Sequence, residues 1–202
     1  SKAPSHTGLI ATWGLSLLLI GIVTAIFGNY ITGVSAPLGN FSIGIYQLSS
    51  YRLVLIGFTV LLFIGIYLVF TRTRLGLIAR GTMQNAEQAS VLGISPPRVY
   101  MITFGIGAAL TGLAGGLLAP ISQIIPTVGF TYVAQAFITV ITGGTGAITG
   151  TLVASGVFGT VRQLVTYETT PIIGGVVLLI VAVVLLRLLP QGITGKIFRR
   201  SL

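Results

Sequence analysis

The chain carries few side chains that could perform acid–base, nucleophilic or metal chemistry. It has no Cys, a single His at position 6 and only two acidic residues, Glu87 and Glu168. No His-Glu-x-x-His motif is present, and the Gly-Ile-Thr-Gly-Lys stretch at 192–196 has the wrong spacing for a phosphate-binding loop. These residues predict no catalytic site, no metal site and no cofactor on this chain, so any ATP hydrolysis would have to occur on another one.

The composition is typical of an integral membrane protein. Of the 202 residues, 53% are hydrophobic and 6% are charged, so the chain cannot present the charged surface of a soluble domain. The net charge of +9 comes from basic residues between the apolar runs, where they would orient the chain in a bilayer. We therefore expect a lipid bilayer around the chain and no nucleic-acid partner.

Four apolar runs are long enough to cross a bilayer, which takes roughly 20 residues as a helix. They are residues 8–27, 53–70, 99–120 and 171–189. The chain opens on Ser1, and its first residues lack the order of a signal peptide. We expect residues 1–202 to form a single transmembrane domain that lacks earlier membrane spans.

The arginines predict how these runs are oriented. The loop at 71–98 carries Arg72, Arg74, Arg80 and Arg98, and the C-terminal Gly-Lys-Ile-Phe-Arg-Arg is also basic. Because basic loops stay on the cytoplasmic side, we expect 71–98 and 190–202 in the cytoplasm. The loops at 28–52, which contains turn residues and room for a short strand, and at 161–170 would then face outward.

The stretch 121–170, which contains the apolar region 130–160, must begin and end on the outer side of the membrane to fit this orientation. Its apolar run is interrupted by Gly-Gly-Thr-Gly-Ala-Ile-Thr-Gly at 143–150. Two crossings or a re-entrant pair of half-helices would both satisfy the constraint. The predicted fold is therefore an all-α membrane bundle of about five to six membrane segments, with a glycine-broken helix or re-entrant pair at 130–160.

The polar residues predicted at membrane depth are uncharged, which suits a neutral or zwitterionic solute. They are Gln123, Gln135, Thr139, Thr142, Thr145 and Thr149. We assign a translocation path to Gln135, Thr139 and Thr142 together with the glycines of the break, Gly143, Gly144 and Gly146. Close helix packing is the alternative role for these glycines. Arg162 and Glu168 are interpreted as residues of the outer loop.

The polar stretch at 80–95 differs from its apolar surroundings. It predicts a short helix from about Thr82 to Leu92 that ends at Gly93 in the left-handed conformation. Ser95 would cap the next helix, with Pro96 in its first turn. Such a helix on the cytoplasmic side could dock a soluble partner and transmit its movement to the spans. An amphipathic helix lying on the membrane is the alternative.

Several motifs resemble those of the branched-chain amino acid permease family, which includes urea and short-amide permeases. The similar stretches are Ala-Thr-Trp-Gly-Leu-Ser-Leu-Leu-Leu at 11–19, Thr-Arg-Leu-Gly-Leu-Ile-Ala-Arg-Gly at 73–81, the spacing of Asn85, Ala89, Gly93 and Ile94, the glycine-rich 143–150 and Leu-Leu-Pro-Gln-Gly-Ile-Thr-Gly at 188–195. Glu-Gln-Ala-Ser-Val-Leu-Gly at 87–93 also resembles the coupling loop of bacterial ABC importer permeases. The resemblance covers nearly the whole chain. It implies that 80–95 is the ATPase-coupling loop of a permease, with the coupling residues Arg80, Asn85, Glu87, Ala89 and Gly93.

This resemblance implies a permease subunit of an ABC importer for branched-chain or related amino acids in a bacterial or archaeal cytoplasmic membrane. Its partners would be ATP-binding subunits, which hold ATP and Mg, a homologous second permease subunit, and a periplasmic or extracellular solute-binding protein. Urea or a short amide is the alternative solute. A gated channel, an ion-coupled carrier and an assembly protein without a transport path are alternative classes.

Overall fold

The computed structural model describes residues 5–30, 33–35, 37–43, 46–144, 147–189 and 192. It contains eight described helices and one described β-hairpin. Their bounds in chain order are α1 Ser5–Phe27, β1 Asn40–Ile43, β2 Tyr46–Ser49, α2 Ser50–Arg72, α3 Arg74–Gln84, α4 Ala86–Val91, α5 Pro96–Leu118, α6 Val128–Gly143, α7 Ala147–Glu168 and α8 Pro171–Leu188. This is the all-α, multi-pass membrane fold that the sequence predicts.

The four predicted spans correspond to α1, α2, α5 and α8. Each of these helices is long and apolar enough to cross a membrane. Large aliphatic side chains lie exposed on all of them, as with Leu18 at 55% and Leu61 at 69%. A helix that is hydrophobic all round needs lipid or another apolar partner on its outer faces, so the described surface fits a bilayer.

A hydrogen bond between α2 and α5 places the start of α2 and the end of α5 on the same side of the bundle. The Tyr51 hydroxyl, at the start of α2, donates a 2.7 Å hydrogen bond to the carbonyl of Leu117 at the end of α5. The antiparallel hairpin β1–β2 leads directly into α2, with Asn40 paired to Ser49. The short strand expected between the first two spans is therefore present.

Helices α6, α7 and α8 form consecutive antiparallel pairs. The predicted break is confirmed: α6 ends at Gly143, and Gly144 has φ 74° and ψ −149°, a region that is essentially restricted to glycine. At this break a Cβ added to Gly143 would lie 2.8 Å from the backbone nitrogen of Thr151. The buried side chains between α7 and α8 are Ala154, Phe158, Leu178 and Ala182.

Helix α7 has the length needed to cross a bilayer, whereas α6 is shorter than a usual span. Helix α7 has 22 residues, about 33 Å at the usual rise per residue, and α6 has 16 residues, about 24 Å. The hydrocarbon core of a bilayer is about 30 Å thick. Because the pair is antiparallel, the chain returns to the side on which α6 began, which is compatible with two crossings and with a re-entrant pair.

Two expectations from the sequence are wrong. The single helix expected from Thr82 to Leu92 is divided at Asn85, which has φ −152° and ψ 96° and separates α3 from α4. The outer loop expected at 161–170 is mostly helix, since α7 continues to Glu168 and α8 begins at Pro171. No Gly or Pro lies between residues 161 and 168 to end α7 earlier, and Pro171 starts α8 with its φ already suited to a first turn.

Candidate functional site

The segment between α2 and α5 is folded back against the end of α2. A Cβ added to Gly76 would lie 2.1 Å from the carbonyl oxygen of Phe70, so only glycine permits this close approach. Thr73 supports the turn, because its hydroxyl donates to the carbonyl of Val69 and accepts from the amide of Gly76 at 3.4 Å. This contact fixes how α3 leaves the membrane-spanning helix.

The candidate coupling residues Arg80, in α3, and Asn85, before α4, have distinct structural roles. Arg80 is exposed, and its Nε donates to the carbonyl of Gly76 at 3.3 Å. Asn85 caps α4: its Oδ1 accepts from the amides of Glu87 and Gln88, each at 3.1 Å. This cap is the physical reason for the division between α3 and α4, because it satisfies amides that have no partner in the first turn.

The end of α4 has the turn that the sequence predicts. Gly93 has φ 81°, and its amide donates to the carbonyl of Ser90 at 3.0 Å while that of Ile94 donates to Ala89 at 3.1 Å. This pair of bonds is the Schellman motif. Pro96 begins α5 as expected, and Ser95 occupies the N-cap position without a side-chain capping bond.

The burial of α4 shows which side chains a partner could contact. Ala89 is 5% exposed and packs within the chain, so its small size serves the packing of α4 rather than an external surface. Glu87 is exposed. Val91 and Leu92 are 84% and 79% exposed. Sequence reasoning missed these two apolar residues, because a helix of six residues has no periodic pattern that shows which side chains face inward.

The candidate path residues of α6 lie on one helical face, at positions i, i+4 and i+7. Gln135 accepts a hydrogen bond from Arg162 at 3.0 Å, and the Thr139 hydroxyl donates to the carbonyl of Gln135 at 2.7 Å. Thr142 is 1% exposed, and its hydroxyl has no hydrogen-bond partner in the described structure. A polar stripe therefore runs from the middle of α6 to its end.

The glycines of the break are in contact with the chain that follows α8. A Cβ added to Gly192 would lie 2.3 Å from Gly144 Cα and 3.0 Å from the carbonyl oxygen of Thr142. Gly143 is buried against the start of α7, whereas Gly146 lies outside the described residues. Gly192 is a site residue that sequence reasoning missed, although it belongs to the second glycine-containing motif at 188–195.

A cavity of about 360 Å³ lies at the opposite end of the bundle, between the β-hairpin and the adjoining ends of α2 and α5. Its wall includes Asn40, Ser49 and Arg52. Arg52 is exposed there. The two ends of the molecule thus differ: an open polar cavity at one, and packed glycines at the other.

Comparison with known proteins identifies the family. The family model described as branched-chain amino acid transport system, permease component, matches residues 3–186. The probable branched-chain amino acid transport permease protein LivH of Methanocaldococcus jannaschii is 29% identical over 199 residues, which covers 93% of this chain and 63% of that protein. No solved structure matches the chain.

Two bacterial relatives agree with this result. The high-affinity branched-chain amino acid transport system permease protein LivH of Salmonella typhimurium is 30% identical, covering 84% of this chain and 53% of that protein. The high-affinity branched-chain amino acid transport system permease protein BraD of Pseudomonas aeruginosa is 30% identical, covering 68% of this chain and 43% of that protein. The matches thus cover between 43% and 63% of the length of these three relatives. The family model and these relatives show that the chain belongs to the family of permease components of branched-chain amino acid transport systems.

Proposed function

We propose that the chain is the membrane-spanning part of an ATP-driven importer that moves branched-chain or related amino acids across a cytoplasmic membrane. Within the family to which the chain belongs, the observation that supports this mechanism best is α4. It is held by the Asn85 cap and the Gly93 turn, and it presents exposed Val91 and Leu92 between two membrane-spanning helices.

In this proposal α4 docks on an ATP-binding subunit, which holds ATP and Mg. The exposed apolar side chains would insert into a groove of the partner, and Glu87 would contact a basic or donor group beside it. Gly76 packs against the backbone of Phe70, so movement of α4 and α3 would pass directly into α2. A change in the partner's shape would then bias the spans between two arrangements.

The orientation in the membrane supports the same assignment. Arg72, Arg74, Arg80 and Arg98 are all exposed on the segment that contains α3 and α4, so the segment would lie in the cytoplasm with the ATP-binding subunit. The β-hairpin and its cavity would lie outside, where a solute-binding protein docks. A homologous second permease subunit would complete the path.

Reconstitution tests this function. The complete importer, assembled from the full-length permease and its partner subunits in proteoliposomes, should accumulate labelled leucine only when ATP and the solute-binding protein are both supplied. Urea and a short amide serve as competing solutes. Leucine uptake that proceeds without ATP would instead identify a channel or an ion-coupled carrier, and ATP-dependent uptake of urea but not leucine would reassign the solute.

A further inference from the structure

Arg162 occupies an unusual position for a charged side chain. It lies in α7, six residues before the helix ends at Glu168, which is about 9 Å along the helix axis. It is half-buried rather than exposed. Arginine within a membrane-spanning helix is costly, and it usually faces a protein interior or a solute pathway.

The contacts of Arg162 leave its charge without a counter-ion. Its Nη1 donates to Gln135 Oε1 at 3.0 Å. A guanidinium has five N–H donors, and a neutral amide oxygen supplies no negative charge. The chain has two carboxylates, Glu87 and Glu168, and no described contact joins either of them to Arg162. Among the residues that the structure describes, the guanidinium therefore has donors without a partner and no counter-ion.

Gln135 provides a second hydrogen-bond donor beside Arg162, and it also belongs to the polar stripe on α6. Because its Oε1 accepts from Arg162, its Nε2 points a further donor away from the guanidinium. Thr139 is bonded to the carbonyl of Gln135 and continues the same face towards Thr142. A carboxylate accepts hydrogen bonds from a guanidinium in a forked, charge-assisted geometry.

We propose that Arg162 and Gln135 bind the carboxylate of the transported solute, at the part of the α6–α7 pair remote from Gly144. This inference rests on the proposed function, and it narrows the solute to a molecule with a carboxylate, such as an amino acid. Urea and simple amides lack an anion and would gain nothing from the charge of Arg162. The neutral hydroxyls further along α6 suit passage of the solute after it leaves the arginine.

The test uses the complete importer in proteoliposomes with saturating, leucine-loaded binding protein. Arg162→Gln keeps an amide that can donate to Gln135 but removes the charge, whereas Arg162→Lys keeps the charge and loses the fork. Arg187→Gln removes a comparable charge from an exposed position in the last turn of α8. We expect leucine uptake to fall about tenfold or more in Arg162→Gln, because a bond to a charged group contributes roughly 1.5–3 kcal/mol.

Arg162→Lys should retain intermediate uptake, and Arg187→Gln should remain near the wild-type rate. Gln135→Glu supplies an internal carboxylate that would occupy Arg162, so uptake should fall although thermal stability is kept or raised. Wild-type uptake in Arg162→Gln would overturn the proposal. Failure of both Arg162 variants to recover the ATP-binding subunit would also overturn the proposal, because it would show that Arg162 is needed for assembly of the importer. Absence of ATP-dependent leucine uptake by the unaltered importer would instead refute the proposed function itself.

Discussion

Gly192 lies directly against Gly144, so that a Cβ added to Gly192 would be 2.3 Å from the Gly144 Cα. Both glycines have positive φ, 78° and 74° respectively. Two glycine-containing motifs that are far apart in the sequence therefore meet in the structure. The contact joins the break between α6 and α7 to the chain that leaves α8.

Gly192→Ala should destabilise this contact and reduce uptake. The added methyl group meets backbone atoms, which cannot swing away, and the left-handed conformation costs a non-glycine residue about 1–2 kcal/mol. Gly175→Ala is a matched control in α8, where an added Cβ has no neighbour within 4 Å. Thermal unfolding of the purified complex should show a lower midpoint for Gly192→Ala only. Equal midpoints would show that the Gly144–Gly192 contact is not needed for stability.

Gly93→Val should uncouple ATP hydrolysis from solute uptake. The residue at this position must adopt φ 81° to form the turn after α4, and a β-branched side chain opposes that conformation by roughly 1–2 kcal/mol. Gly81→Ala, in the interior of α3 where an added Cβ meets nothing, is the control. The ratio of leucine transported to ATP hydrolysed measures the effect, and an unchanged ratio in Gly93→Val would exclude a coupling role for the turn.

Ala89→Trp should lose the ATP-binding subunit. Because Ala89 is 5% exposed, an indole cannot be accommodated without displacing α4 from the rest of the chain, and overpacking of this kind typically costs about 1–3 kcal/mol. Affinity recovery of the ATP-binding subunit measures the loss. Membrane insertion should be unaffected, since the apolar spans are unchanged. Normal recovery together with normal uptake would mean that α4 is not the docking element.

Leu92→Ser tests the exposed tip of α4 without disturbing its packing. Leu92 is 79% exposed, so its replacement should leave the stability of the permease within about 0.5 kcal/mol. If this side chain inserts into a groove of the partner, recovery of the ATP-binding subunit should fall several-fold. Leu53→Ser, at an exposed position of α2 far from α4 in the chain, serves as the comparison. Equal recovery of both variants would place the docking surface elsewhere.

Cysteine labelling tests the orientation directly, because the chain contains no native Cys. Gln88→Cys, on exposed α4, should react with a membrane-impermeant maleimide only after the membrane is opened. Ser42→Cys, exposed on β1, should react in intact cells. The reverse pattern would invert the orientation and remove the proposed cytoplasmic docking site.

The sequence alone determined the features that depend on residues close together in the chain. Four apolar runs of sufficient length predict α1, α2, α5 and α8, because a bilayer requires the backbone of each run to be satisfied within its own helix. The turn at Gly93 and the break at Gly144 were also predictable, since both use backbone conformations that glycine adopts most readily. The polar composition of residues 80–95 also distinguished that segment from the apolar spans.

Only the tertiary structure decided the features that require residues from distant parts of the chain. The bond from Arg162 to Gln135 joins positions 27 residues apart, and α7 continues to Glu168, so that Arg162 lies in a helix and not in the predicted loop. Ala89 is buried and Leu92 is exposed. No local sequence pattern in so short a helix predicts which of the two side chains faces inward. The approach of Gly192 to Gly144 depends on how α8 packs on α7, because close packing of whole helices determines which backbones meet.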